Sequence, residues 1–359
     1  MEHKMRQDKL RECIDAAHFD AFLVSHLPNI RYLCGFTGSA GLLLVEERGS
    51  TFFSDSRYDT QAHEEVTGAK LVIGRKSPLE LLGEFLRRRR KKASIGIEAE
   101  HFTLAEKKRL QKFLPSLVRL KDAHSTVERL RLVKDSEELA RMREAVALGA
   151  RLFERALEVL RAGVSETEVA AEMELLARRA GADKMSFETI IASGPRSALP
   201  HGRASAQPIS PAGFVVCDFG VILAGYCSDQ TRTVWVGAVS DDARRVYDAV
   251  RQAQQAAIDA VRPGVTAGEV DSTARKVLQK AGLAKHFTHS TGHGVGLEIH
   301  EAPRIAAGQK DVLEPGMVIT IEPGVYFPGK WGVRIEDMVA VTPTGCEVLT
   351  PTGKDFIAV

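Results

Sequence analysis

Residues His289–Glu301 read His-Ser-Thr-Gly-His-Gly-Val-Gly-Leu-Glu-Ile-His-Glu. With His286, the stretch places four of the chain's eleven histidines within fifteen residues. Gly292, Gly294 and Gly296 surround the central His293. Glycine tolerates positive φ and close backbone approach, so the chain turns tightly around an imidazole. Imidazole ligates Zn, Mn, Co and Fe, and it shuttles protons near neutral pH. A single histidine says little, since most are ordinary core or surface residues. Four in one Gly-rich run predict a site, provided that carboxylates elsewhere converge on it.

Two hairpins supply them. On the N-terminal side, Ala212–Gly220 (AGFVVCDFG) is an apolar strand holding one acid, Asp218. Gly225 marks a turn, and Tyr226–Val236 (YCSDQTRTVWV) returns with Asp229. The midpoint of the two acids falls between Leu223 and Ala224, so a hairpin centred there sets them opposite, with Cβ atoms ~5 Å apart. Carboxylates that close repel unless one keeps its proton or a cation lies between them. An unpaired carboxylate inside a Val/Phe strand is costly; separate pairing of each acid, for instance with Arg232, is the alternative. On the C-terminal side, Val318–Glu322 (VITIE) is a strand, Phe327–Lys330 a turn, and Trp331–Val341 (WGVRIEDMVAV) returns with Glu336. Glu322 and Glu336 lie symmetrically about Gly329. Alternation puts Thr320 on the same face of its strand as Glu322, and Arg334 on the same face of its strand as Glu336. Four carboxylates are more than one ion needs. They suit two divalent ions ~3.5–4 Å apart, as in two-metal hydrolases. Residue types and spacing therefore reach metal-assisted hydrolysis, with no substrate specified.

Helices fit Asp135–Leu160, Ser165–Ala180, Asp241–Val261 and Thr266–Ala281, so each hairpin follows helices and the region reads as two related α/β halves. A chain of 359 residues implies two domains. Short strands at Phe19–Ser25, Leu42–Val45, Thr51–Phe53, Leu71–Ile73, Ile95–Ile97 and Leu117–Leu120 alternate with helices after Ser54, Pro78 and Thr103. They predict a smaller α/β domain over residues 1–125, followed by a catalytic domain over 126–359.

With 27% charged residues, 44% hydrophobic residues and a net charge of +2, the composition implies no general attraction to nucleic acid or membrane. The basic run Arg87–Lys92 reads as the cationic end of a helix. Five cysteines without a CxxC spacing point to a reducing compartment. Residues 1–12 are charged and lack a secretory apolar core, and no apolar run reaches the ~20 residues of a span. The expectation is a cytoplasmic protein with no nucleic-acid or membrane partner.

Asp218, Asp229, His293, Glu322 and Glu336 stand in this order within VCDFG, YCSDQTRT, TGHGVGLEIHE, TIEPGVY and GVRIED. In these motifs the chain resembles the creatinase/prolidase/aminopeptidase P group of metallopeptidases, with a fainter likeness through NIRYLCGFTGSAG in the first domain. The resemblance implies a C-terminal pita-bread α/β fold preceded by a smaller α/β creatinase-like domain. It also implies two divalent ions per subunit, Mn²⁺ or Co²⁺ foremost, with Zn²⁺ or Fe²⁺ as further options. Asp218 would then bind the first ion, His293 and Glu322 the second, and Asp229 and Glu336 both. By the same resemblance, Glu322 handles the proton of a bridging hydroxide nucleophile. His300 stabilises the tetrahedral intermediate or contacts the substrate carbonyl, and His201, in Leu-Pro-His-Gly, is a further active-site histidine. His289, Arg304, Phe187 and Tyr326 match positions near the substrate, while Thr231 and Arg334 support the neighbouring acids. The implied activity is hydrolysis of the Xaa-Pro bond in small peptides with proline second, by a homodimer. Arg304 offers a cation to a free proline carboxylate and favours an Xaa-Pro dipeptidase. An Xaa-Pro aminopeptidase acting on longer peptides is the alternative. A non-catalytic binding module is a further alternative, but it would have lost ligands, and all five are present.

Overall fold

Short apolar runs bounded by turn residues build the first sheet. In the computed structural model, which describes residues 3–359, the chain divides after Arg131 into two compact units. The first unit holds strands β1 (Ala21–Val24), β2 (Leu42–Glu46), β3 (Gly49–Asp55), β4 (Lys70–Gly74), β5 (Ala93–Glu98) and β6 (Val118–Ala123) in the order β4-β3-β2-β1-β5-β6. Its helices are α1 (His3–Ala16), α2 (Leu27–Cys34), α3 (Asp59–Glu65), α4 (Pro78–Arg89), α5 (Leu104–Phe113) and α6 (Thr126–Arg131). Leu23, Leu44, Phe53 and Ile97 pack with Leu82, Leu86 and Leu110 from α4 and α5.

Three features differ from the sequence expectation. The charged N-terminal stretch forms α1 from His3 onward, its first two residues lying outside those described. This helix buries Leu10 and Ile14, but also Arg6 and Gln7, which bond the Tyr32 and Leu33 carbonyls at 3.1 and 2.9 Å. Second, α2 occupies the segment after β1, with proline in its first turn and Gly35 (φ 87°) as a left-handed stop. Third, the division falls after Arg131 rather than after residue 125. Val127 of α6 is fully buried, Tyr32 Oη donates to Leu130 O, and Arg131 Nη1 donates to Asn29 Oδ1 at 2.6 Å. The basic run closes α4: Arg90 adopts φ 47°, Arg87 bonds the Phe113 carbonyl, and Arg89 pairs with Glu46.

The second unit starts with α7 (Ser136–Val159) and α8 (Glu166–Arg179), each opened by a capping box, Asp135 with Glu138 and Ser165 with Glu168. Strands β7 (Lys184–Met185), β8 (Ile190–Ser193), β9 (Gly213–Phe219), β10 (Val221–Leu223), β11 (Tyr226–Cys227) and β12 (Gln230–Val236) follow. They form the sheets β12-β9-β8 and β11-β10-β7. Helices α9 (Asp241–Ala260) and α10 (Ala267–Lys280) lead to β13 (Gly292–Gly294), β14 (Glu301–Ile305), β15 (Val318–Ile321), β16 (Gly324–Phe327), β17 (Trp331–Arg334), β18 (Asp337–Val341) and β19 (Cys346–Val348). These give the sheet β14-β13-β15-β18-β19 and the ribbon β16-β17. One core joins α7 and α8 to β8, β9 and β12; another joins α9 and α10 to β15, β17 and β18. No helix among the described residues is long and apolar enough to cross a membrane.

The hairpin registers position the acids. Glu322 and Glu336 flank the turn as expected: Ile321 pairs with Asp337 and Gly324 with Arg334, symmetric about Gly329. The first hairpin is centred between Ala224 and Gly225, one residue further on than the midpoint of its acids. Its turn residues are Ala224 and Gly225, both at positive φ (48° and 85°), the geometry of a tight two-residue hairpin turn. Asp218 therefore faces Thr231, and Asp229 stands two residues before Thr231. An even slip preserves the face, so both acids still reach one cavity, as diagonal rather than direct neighbours.

Candidate active site

The five ligand-type residues come from strand ends and breaks, where the ladder releases a side chain. Asp218 is the last residue but one of the fully buried β9; its Oδ2 accepts from Arg334 Nη2 at 2.6 Å and its Oδ1 is buried without a partner. Asp229 lies in the gap before β12, its Oδ1 also buried without a partner and its Oδ2 3.6 Å from His293 Nε2. Glu322 follows β15, with Oε1 3.6 Å from the same nitrogen. Glu336, between β17 and β18, accepts from Thr231 Oγ1 at 2.8 Å. His293 Nδ1 lies 2.9 Å from the Gly294 carbonyl. A carbonyl only accepts, so Nδ1 carries the proton and Nε2 presents its lone pair to the two acids. Ligand atoms of Asp229, His293 and Glu336 all lie within 4.8 Å of one another.

The electrostatics of this cluster are unbalanced. Burial raises Asp229 well above the usual carboxylate range, and the charges of Glu336, Asp218 and Glu322 add to it. Glu336 is raised likewise by burial and by Glu322 and Asp218. Burial pushes Glu322 up to about 7, against the opposing pull of Arg334. Burial holds His293 down at about 4, hence neutral. Four carboxylates share one guanidinium, and two of their buried oxygens lack any hydrogen bond. A set of carboxylate oxygens with one neutral imidazole fits hard or borderline divalent cations, which would balance the charge and engage the orphan oxygens.

The cavity above this floor has a volume of about 670 Å³, and its wall includes the other sequence-predicted residues His201, His289, His300, Arg304 and Phe187. His300 packs edge-on against His293, centroids 4.4 Å apart, and burial, then His201 nearby, lower its pKa from the ordinary imidazole value. His289 is pushed down to about 4 by burial and then by Arg334. Arg304 is exposed and sits in β14 directly across from His293, so both side chains share a face. Phe187 precedes β8 on the wall.

Tyr326 departs from its expected place beside the substrate. It is 5% exposed and does not line the cavity. Its hydroxyl is taken up between Arg334 Nη1 (2.7 Å) and His289 Nε2 (2.9 Å), so it braces those two residues. Arg334 also donates from Nε to Thr231 Oγ1 at 3.0 Å and from Nη1 to Pro200 O at 3.1 Å. Arg232 pairs with Asp337 at 2.7 Å, not with Asp218 or Asp229.

Residues not foreseen include Thr320, whose hydroxyl accepts from His293 N at 3.1 Å and reaches Glu322 at 3.5 Å; its shared face with Glu322 was the available signal. Glu301 on the wall pairs with Lys134 at 3.1 Å, and Glu188 with Arg203 at 2.8 Å. No spacing in the sequence links either pair.

Two helix-and-sheet halves enclosing a buried carboxylate–imidazole floor define a metal-dependent hydrolase. Comparison with known proteins narrows this. The profile of metallopeptidase family M24 matches residues 140–343, and that of the creatinase/prolidase N-terminal domain matches residues 6–133. The solved Xaa-Pro dipeptidase from Bacillus anthracis is similar at 38% identity and TM-score 0.96, over 100% of both chains. The prolidase from Pyrococcus horikoshii OT3 is 35% identical, TM-score 0.93, covering 98% of this chain and 100% of that one. The X-Pro aminopeptidase from Thermotoga maritima MSB8 is 35% identical, TM-score 0.89, covering 95% of this chain and 98% of that one. The chain belongs to metallopeptidase family M24, and its second unit has the pita-bread fold.

Proposed function

We propose that this metallopeptidase hydrolyses the Xaa-Pro imide bond of short peptides and acts as an Xaa-Pro dipeptidase. The observation carrying this reading is the exposed Arg304 on the cavity wall, in register with His293 at the cluster of acids. A guanidinium there matches the free carboxylate of a C-terminal proline. Similarity to the Bacillus anthracis and Pyrococcus horikoshii proteins supports the same substrate class.

Asp218, Asp229, His293, Glu322 and Glu336 would hold two divalent ions, Mn²⁺ or Co²⁺ foremost. When bound, such ions acidify water into a nucleophile and polarise a carbonyl. The protein's own groups do the rest. Glu322, at the end of β15 beside His293, would take up a proton at its carboxylate and return it. The proline nitrogen has no N–H and leaves only once protonated, which gives that proton a destination. His300 and His201, on the wall, orient the scissile carbonyl. His289, Tyr326, Thr231 and Arg334 hold the acids in place. The five cysteines are all free, which supports a cytoplasmic setting, and the family resemblance supports a homodimer.

A second reading is Xaa-Pro aminopeptidase, favoured by the similarity to the Thermotoga maritima protein. Turnover of Ala-Pro and Ala-Pro-Ala by Mn²⁺-loaded enzyme separates the two. Dipeptidase action predicts a much higher kcat/KM for Ala-Pro; efficient alanine release from the tripeptide overturns it.

A further inference from the structure

His201 stands on an exposed turn, and an imidazole on an unsecured loop would have no fixed relation to the cavity. Its loop is secured from behind. Glu166, in the first turn of α8, is 0% exposed. Its Oε1 accepts from Ser193 N at 2.8 Å, and its Oε2 accepts from Ser205 N at 3.1 Å and Ser205 Oγ at 2.6 Å. One carboxylate thus joins both ends of the segment that carries His201. Arg196 Nε donates to Glu166 Oε2 at 2.9 Å, while its Nη2 crosses the loop to Arg203 O at 2.6 Å, two residues past His201. On the cavity side, Pro200 O accepts from Arg334, and Ser197 Oγ accepts from Gly332 N at 2.9 Å.

Glu166 is not needed to start α8. Ser165 and Glu168 already form the capping box, with Ser165 N donating to Glu168 Oε2 at 2.9 Å. A carboxylate with no exposed surface is costly unless its partners fully engage it. Every hydrogen bond named for this one ends on the His201 segment.

We propose that Glu166 and Arg196 are positioning residues for His201. The ion pair closes residues 193–205 at their base, and the guanidinium fork fixes the Arg203 carbonyl, which holds the imidazole on the cavity wall. Lysine cannot replace the fork, because one ammonium cannot span both acceptors in this geometry. The inference rests on the substrate-facing reading of His201 given above.

The test is a double-mutant cycle on the Mn²⁺-loaded full chain with Ala-Pro, using Arg196→Lys, Glu166→Gln, His201→Ala and the two doubles with His201→Ala. Arg196→Lys and Glu166→Gln are each expected to lower kcat about ten- to a hundredfold, the scale of a small misplacement, with KM changed less than about twofold. In the His201→Ala background, either change should cost less than about a further twofold in kcat. Losses that multiply in the doubles, or wild-type kcat in Arg196→Lys, overturn the positioning role while leaving His201 itself in place. Wild-type kcat in His201→Ala overturns the reading of His201, and the positioning role with it. Should Glu166→Gln fail to fold, Arg196→Lys carries the cycle alone, since Arg196 is partly exposed.

Discussion

Glu322 shows how a single side chain links the site to stability. In the folded, metal-free chain its carboxyl titrates at about 7, against an ordinary value of 4.5, because burial penalises the charge. A raised acid favours the fold while protonated, so its contribution is complete below the ordinary carboxylate range and is lost as pH rises through about 7. Asp229 and Glu336 are raised for the same reason and act in the same sense. Chelator-treated protein should therefore lose Tm between about pH 5.5 and pH 8, and Mn²⁺ should restore more Tm at pH 8 than at pH 5.5. A Tm independent of pH and metal over that range contradicts the charge cluster. The ligand-type residues were legible because an acid in a Val/Phe strand is anomalous on its face. Tyr326 was not: its partners His289 and Arg334 come from separate segments, and only the folded chain shows that its hydroxyl is occupied.

The elements explain why the Gly-rich stretch is Gly-rich. A Cβ on Gly292 would lie 1.9 Å from the Thr320 carbonyl and 2.9 Å from the Thr320 hydroxyl that holds His293 N. Gly292→Ala must push β13 away from β15, costing ~1–3 kcal/mol and loosening the grip on His293. Gly345→Ala, with nothing within 4 Å, is the matched control and should leave Tm unchanged. Thermal melts and Mn²⁺ affinity check both; an unchanged affinity in Gly292→Ala contradicts the account. Hairpin register was partly legible. Symmetry about Gly329 placed the second turn correctly, because the pairs Ile321–Asp337 and Gly324–Arg334 are both centred on it. In the first hairpin, the left-handed pair Ala224–Gly225 set the centre, and alanine gives no sign that it will adopt φ 48°. Both acids still share a face, because a slip of two residues preserves it.

Across the whole molecule, what escaped the sequence depended on distant partners. The charged pattern of α1 hides a buried face whose Arg6 and Gln7 are satisfied by carbonyls of α2. Likewise α6 joins the first unit through Asn29 and Tyr32, roughly a hundred residues earlier in sequence. The alternation of strands and helices, the paired acids and the histidine turn all have local signatures, and these were readable. Burial pushes the thiols of Cys34, Cys217 and Cys227 up to about 12. A thiol reagent at neutral pH should hence label at most Cys13 and Cys346 in the native protein, and all five after unfolding. Labelling of more than two in the native state contradicts the cores described. The most direct test of the account is anomalous diffraction from a crystal grown with Mn²⁺. It predicts two peaks ~3.5–4 Å apart among Asp218, Asp229, His293, Glu322 and Glu336. One peak alone, or none among these side chains, contradicts it.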